Sequence, residues 1–111
     1  MVSDYVKVAT VAEIPDPGKQ TLEVEDSVVV LFHVDGRFYC LDDVCTHDGG
    51  PLGEGRLCDH VIACPRHGAQ FDIRTGQPLS MPAIVPTRVH DVKVEGDDVY
   101  VRINEGVSTC R

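Results

Sequence analysis

A chain of 111 residues with 42% apolar side chains has room for one small domain and one modest core, and none for a second lobe. Its formal charge of −8, from 18 acidic against 10 basic side chains, argues against nucleic acid, whose phosphates call for a basic surface. The longest apolar run, Val28 to Phe32, is five residues against the roughly 20 that span a bilayer, so no membrane segment is expected.

The start, Met1-Val2-Ser3-Asp4-Tyr5, lacks the basic region and apolar core of a secretory signal. Five cysteines cannot all pair internally. Together these point to a soluble protein of a reducing, cytoplasmic compartment, with thiolates free for metal.

In chain order, Tyr5 to Val8 and Thr21 to Val24 alternate apolar and polar residues with period two, as half-buried strands do. Between them Val11 to Ile14 forms one helical turn at most before Pro15. Val28 to Val34 is a β-branched, apolar strand. Asp35-Gly36 then makes a tight turn into Arg37 to Leu41, because both central residues tolerate positive φ. Residues 42 to 55 carry Gly49, Gly50, Pro51, Gly53 and Gly55 and read as a loop. His60 to Ala63 and Ala69 to Ile73 are short strands, followed by a proline-bearing loop from Gly76 to Pro86. A second hairpin runs from Val89 to Ile103 through Glu95-Gly96-Asp97-Asp98, and Glu105 to Arg111 is expected to fray. The predicted fold is all-β and antiparallel, a single domain over residues 1–111.

Two motifs lie on the loops of this framework. Cys45-Thr46-His47 is followed, after sixteen residues, by Cys64-Pro65-Arg66-His67. Thiolate and imidazole are ligands suited to zinc, iron and iron–sulfur clusters. Each loop can present one of each to a small site, and four ligands close either a tetrahedral zinc site or a two-iron cluster. Common zinc fingers pair two cysteines in one knuckle and two histidines on a helix. Here each knuckle is mixed and no helix follows, which suits two different metals. Gly49, Gly50 and Gly68 allow close backbone approach, so that N–H groups can donate to sulfur.

The stretch Cys45-Thr46-His47-Asp48-Gly49-Gly50-Pro51-Leu52, with Cys64-Pro65-Arg66-His67-Gly68 and Phe71-Asp72, resembles the Rieske-type ferredoxins, electron-carrier components of multicomponent non-haem iron oxygenases. The similarity covers nearly the whole chain. It implies the Rieske fold, with a cluster-binding subdomain over about residues 43–82 formed by two loops, and one [2Fe–2S] cluster per chain. By resemblance, Cys45 and Cys64 bind the inner iron and His47 and His67 the outer, and a loop around Pro78 to Pro82 covers the cluster. The implied role is one-electron transfer without catalysis, as a monomer meeting a flavin-dependent ferredoxin reductase and a terminal oxygenase transiently. A Rieske-type small subunit of nitrite reductase and a structural zinc module are the alternatives.

The respiratory Rieske proteins carry an extra cysteine in each loop and place serine and tyrosine hydroxyls against the cluster. The matching positions here are Gly50, Arg66, Ala69 and Phe71, none of which supplies the disulfide or the hydroxyl. Hydrogen bonds to sulfur favour the reduced cluster, so a potential near the low end of the Rieske range, about −150 mV, is expected.

Other residues have plainer readings. Cys58-Asp59-His60 repeats the C-x-H pattern, but with only three residues before Cys64 it is assigned no ligand role. Cys40 is expected to be a buried small hydrophobe, Cys110 a free exposed thiol, and His33 and His90 strand residues without redox function. An apolar patch of Pro51, Leu52 and Pro82 is expected around the site as a docking surface, which for such carriers is small and weak.

Overall fold

Val28 to Val34 carries no polar alternation, and the computed structural model shows why. Residues 5–25, 27–43, 51–65, 68–79 and 86–104 are described. Strand β3 (Ser27–Val34) is covered on both faces from Val29 onward. Val29 and Leu31 pack into one core with Ala9, Ile14, Val24, Cys40, Val99 and Val101, whereas Val30, Phe32 and Val34 belong to a second with Leu41, Leu52, Ile62, Cys64, Ala69, Phe71 and Ile73. A strand buried on both sides has no solvent face on which to alternate. Fully burying a side chain such as Phe32 contributes about 1.5–3 kcal/mol.

Around β3 the chain builds β1 (Val6–Thr10), a 3-10 turn (Val11–Glu13), β2 (Gly18–Val24) and β4 (Arg37–Asp42). The final hairpin is β8 (Val89–Glu95) and β9 (Asp98–Arg102). These strands form one antiparallel sheet in the order β1-β9-β8-β4-β3-β2. Its edge strands β1 and β2 approach each other, so the sheet nearly closes into a barrel. A second, three-stranded antiparallel sheet consists of β5 (Arg56–Cys58), β6 (Val61–Ala63) and β7 (Gln70–Asp72). The all-β, antiparallel architecture is therefore as expected.

Turn chemistry fixes the registers. Val34 pairs Arg37 across Asp35 (φ 55°) and Gly36 (φ 78°), both positive as a type I′ turn requires. The Asp16 carboxylate accepts the N–H groups of both turn residues, at 2.9 and 2.7 Å. Across the second hairpin Glu95 pairs Asp98, with positive φ at Gly96.

Two readings of the sequence need correction. Strand β5 was not foreseen: three residues directly after a glycine-rich stretch give too short a pattern to register as a strand. The segment read as a loop over residues 42 to 55 begins with Asp42 inside β4 and ends in a 3-10 turn (Leu52–Glu54). Residues 105–111, expected to fray, lie outside the described residues. Among the described residues no helix is long and apolar enough to cross a membrane.

Candidate metal centre

The small sheet exists to hold a turn. Strands β6 and β7 pair Ala63 with Gln70, and the chain between them reverses through Cys64. Cys64 donates its N–H to the Ala69 carbonyl at 2.7 Å and accepts the Gly68 N–H at 2.9 Å. At Gly68 φ is +75°, and a Cβ there would meet no described protein atom within 4 Å. The position therefore needs glycine for its left-handed backbone, not for close packing against the protein.

Cys64 itself is a free cysteine, 2% exposed and packed in the core shared by the two sheets. The other three predicted ligands, Cys45, His47 and His67, lie outside the described residues, as do Arg66, Gly50 and Cys110. The residues on either side of the predicted Cys45 and His47 ligands are described. On one side β4 ends at Asp42, whose N–H donates to the Arg88 carbonyl at 2.9 Å. On the other, Leu52 is fully buried and Gly53 donates its N–H to the Asp43 carboxylate at 2.6 Å.

A third segment, rich in proline, borders the turn. Pro78 forms a bridge with Phe71, and the Leu79 N–H donates to the Gln70 carbonyl at 2.7 Å. Its base is closed where the Thr87 N–H meets the Gly76 carbonyl at 2.9 Å. Residues 80–85, including Pro82, lie outside the described residues.

The electrostatics at this end of the barrel centre on Asp42. Burial works against its charge. Hydrogen bonds from His90 and Arg88 outweigh that and hold the carboxyl below its ordinary range.

The other described cysteines and histidines lie in separate surroundings. Cys40 is fully buried in the barrel, where desolvation, assisted by Asp42, pushes its thiol up to about 12. Cys58 is exposed at the end of β5, and Asp59-His60 are the hairpin turn between β5 and β6. His60 packs edge-on to Tyr39 at 5.8 Å between ring centroids and lies 3.9 Å from Asp35, so it docks the small sheet against the β3–β4 hairpin. His33 is buried, stacked on Phe38 at 4.0 Å, with Nδ1 donating to the Ile14 carbonyl at 2.8 Å.

One expectation fails outright. Leu52 cannot belong to a surface patch, because it is fully buried among Val30, Ile62 and Phe71. A hydrophobic residue closing a loop was read as surface, when its burial anchors that loop to the core. Leu79, which the sequence did not single out, is 51% exposed beside the turn.

A buried, unpaired thiol at the head of a glycine-bearing turn, in an apolar core at one end of a barrel, is a soft ligand suited to an iron–sulfur cluster. That combination of fold and turn defines a Rieske domain, and the Rieske [2Fe–2S] domain family matches residues 4–103. The chain belongs to this family, and within it to the ferredoxin components of aromatic-ring dioxygenase systems: one-electron carriers with a [2Fe–2S] cluster, not catalysts.

It is 38% identical over 99 residues to the 3-phenylpropionate/cinnamic acid dioxygenase ferredoxin subunit of Photorhabdus laumondii, covering 88% of this chain and 93% of that one. It is 43% identical over 81 residues to the ferredoxin component of biphenyl 2,3-dioxygenase from Rhodococcus jostii, covering 73% and 76%. Among solved structures, a chain in the complex of reduced oxygenase and oxidized ferredoxin of carbazole 1,9a-dioxygenase superposes with a TM-score of 0.86. The two are 32% identical, over 94% of this chain and 97% of that one.

Proposed function

We propose that Cys45 and Cys64 hold the inner iron and His47 and His67 the outer iron of the cluster, within a cluster-binding subdomain of about residues 43–82. The protein then takes one electron from a flavin-dependent reductase and delivers it to a terminal oxygenase, acting as a cytoplasmic monomer that meets each partner transiently. The observation that carries this reading is Cys64: a free, buried thiol heading the turn in the very motif that also contains His67. The bound cluster supplies reversible one-electron chemistry. The protein's part is to exclude water from the sulfur side, through Cys64, Ala69 and Phe71, and to set how easily the electron enters.

Ala69 and Phe71 are fully buried beside Cys64 in the chain and offer no hydroxyl, which supports a low potential. Partnership with an oxygenase draws support from the carbazole system, whose ferredoxin is found in complex with its oxygenase. Half-exposed Leu79 gives such a partner an apolar contact, and the charge of −8 steers encounter with a basic docking patch.

The test is direct. Purified protein should be red-brown and show a rhombic paramagnetic signal on reduction, which Cys45→Ser, Cys64→Ser, His47→Ala and His67→Ala each abolish or alter. Colourless protein with one tightly held zinc per chain would establish a zinc module instead. Reduced protein that fails to pass electrons to any aromatic-ring oxygenase would remove the dioxygenase role.

A further inference from the structure

We infer that Asp43 is a positioning residue for the first ligand loop, gripping Gly53 together with Lys19 so that the loop carrying Cys45 and His47 is closed at its base. The inference rests on the ligand assignment proposed above.

The geometry is concentrated on one residue. Gly53 gives its N–H to Asp43 Oδ1 at 2.6 Å, and its carbonyl accepts Lys19 Nζ at 2.7 Å. Both polar groups of a single peptide residue are thus held by charged side chains, and charge-assisted hydrogen bonds are about twice as strong as neutral ones. The two side chains come from rigid places. Lys19 lies on β2, paired with Phe32 of β3. Asp43 follows β4 and is itself fixed by its N–H, which donates to the Val28 carbonyl at 3.0 Å.

Sterics close the same neck. A Cβ on Gly53 would lie 2.1 Å from Thr21 Oγ1, 3.2 Å from Val30 Cγ2 and 3.2 Å from the Asp43 carboxylate. No side chain fits there, so the 3-10 turn Leu52–Glu54 sits directly on the barrel wall, with buried Leu52 as its apolar anchor. Asp43 and Gly53, described residues on either side of the proposed ligand positions, are therefore held together against the barrel. Ligands on a loop with a closed neck lose little further freedom on binding metal, which favours retention of the cluster.

Four chains decide the matter, each as the cluster-loaded protein: Asp43→Ala, Asp43→Asn, Gly53→Ala, and Gly53→Ala combined with Thr21→Ala. Asp43→Ala and Gly53→Ala should release iron to a chelator about 10- to 100-fold faster than wild type, the cost typical of removing support behind a metal ligand. Their reduced-state paramagnetic g-values should shift. Asp43→Asn keeps an acceptor oxygen for the Gly53 N–H and should restore both readouts. Thr21→Ala should partly rescue Gly53→Ala by removing the atom its Cβ strikes.

A merely structural Asp43 would lower the melting temperature without moving the g-values, and that result would overturn the inference. So would Asp43→Ala with wild-type release. Failure of the underlying reading looks different: Cys45→Ser and His47→Ala would then keep a wild-type spectrum.

Discussion

His90 Nε2 lies 2.7 Å from Asp42 Oδ1, while the other ring nitrogen accepts the Asn104 N–H at 3.0 Å. An accepting Nδ1 carries no proton, so this network places the ring proton on Nε2, facing the carboxylate. Arg88 adds two contacts to the same carboxylate, Nε to Oδ2 at 3.1 Å and Nη2 to Oδ1 at 3.3 Å. One buried-edge carboxylate thus joins the end of β4, which precedes the proposed ligands Cys45 and His47, to the start of β8.

The first prediction concerns this network. Asp42→Asn replaces one acceptor oxygen with an amide N–H₂ facing donors, and should cost about 1.5–3 kcal/mol, the range for hydrogen bonds to charged groups. The pH dependence has a definite sign. The folded carboxyl titrates below the unfolded one, whose value is about 3.9, so between the two values the unfolded chain binds more protons. Its contribution is fully present above about pH 4 and is lost as pH falls through the folded value. Urea unfolding followed by circular dichroism should show a shallower acid limb in Asp42→Asn than in wild type. Identical limbs would refute the assignment.

The second prediction concerns the potential. Ala69 is fully buried, and its carbonyl already holds the Cys64 N–H. Ala69→Ser adds a donor to the turn headed by Cys64, a proposed ligand. A hydrogen bond contributing about 0.5–1.5 kcal/mol more to the reduced state raises a one-electron potential by about 20–65 mV. Phe71→Tyr should act in the same direction. Voltammetry that is unchanged in both folded variants would remove hydroxyl donors as the reason for a low potential.

Legibility from sequence divides along range of interaction. The Asp35-Gly36 turn, the 3-10 turn at Val11 and the final hairpin follow from local chemistry, and each is found where the residues placed it. Val61-Ile62-Ala63 reads as strand and forms β6, with Asp59-His60 the turn that leads into it from Cys58. The family was legible because two short motifs, one of three residues and one of four, carry most of its signature. What stayed hidden depends on partners distant in the chain. Leu52 looks like any loop leucine until Val30 and Ile62 are seen to bury it. Lys19 reaches Gly53 from 34 residues away and Asp43 from 10, and no local pattern marks either contact.

The third prediction tests the closure of the proline segment. Gly76 has φ +76°, and a Cβ there would fall 2.2 Å from the Thr87 carbonyl oxygen and 2.9 Å from Val89 Cγ2. Gly76→Ala is strained in backbone and in packing, so the Thr87 N–H contact to the Gly76 carbonyl should break. The strained conformation alone costs about 1–3 kcal/mol. Gly96→Ala is the comparison, since φ there is +62° but no described atom lies within 4 Å of its Cβ. Amide exchange near Thr87 should accelerate in Gly76→Ala and not in Gly96→Ala. Equal effects at both sites would mean that the backbone angle, not the close approach, governs the segment.

The last prediction separates the two leucines that border the site. Leu52 is fully buried and Leu79 is 51% exposed. Leu52→Ala removes core contacts with partial collapse at best, which costs about 2–5 kcal/mol. Because Leu52 anchors the chain that follows the proposed ligands Cys45 and His47, the same variant should also release iron faster. Leu79→Ala deletes little buried surface, so its urea midpoint and visible spectrum should match wild type. Its effect belongs to association: with an oxygenase partner, the rate of electron delivery at limiting concentration should fall while the saturated rate holds. Apolar side chains at the centre of a small interface are the ones whose truncation is felt in binding. A Leu79→Ala variant with unchanged delivery at every concentration would place the docking surface elsewhere on the barrel.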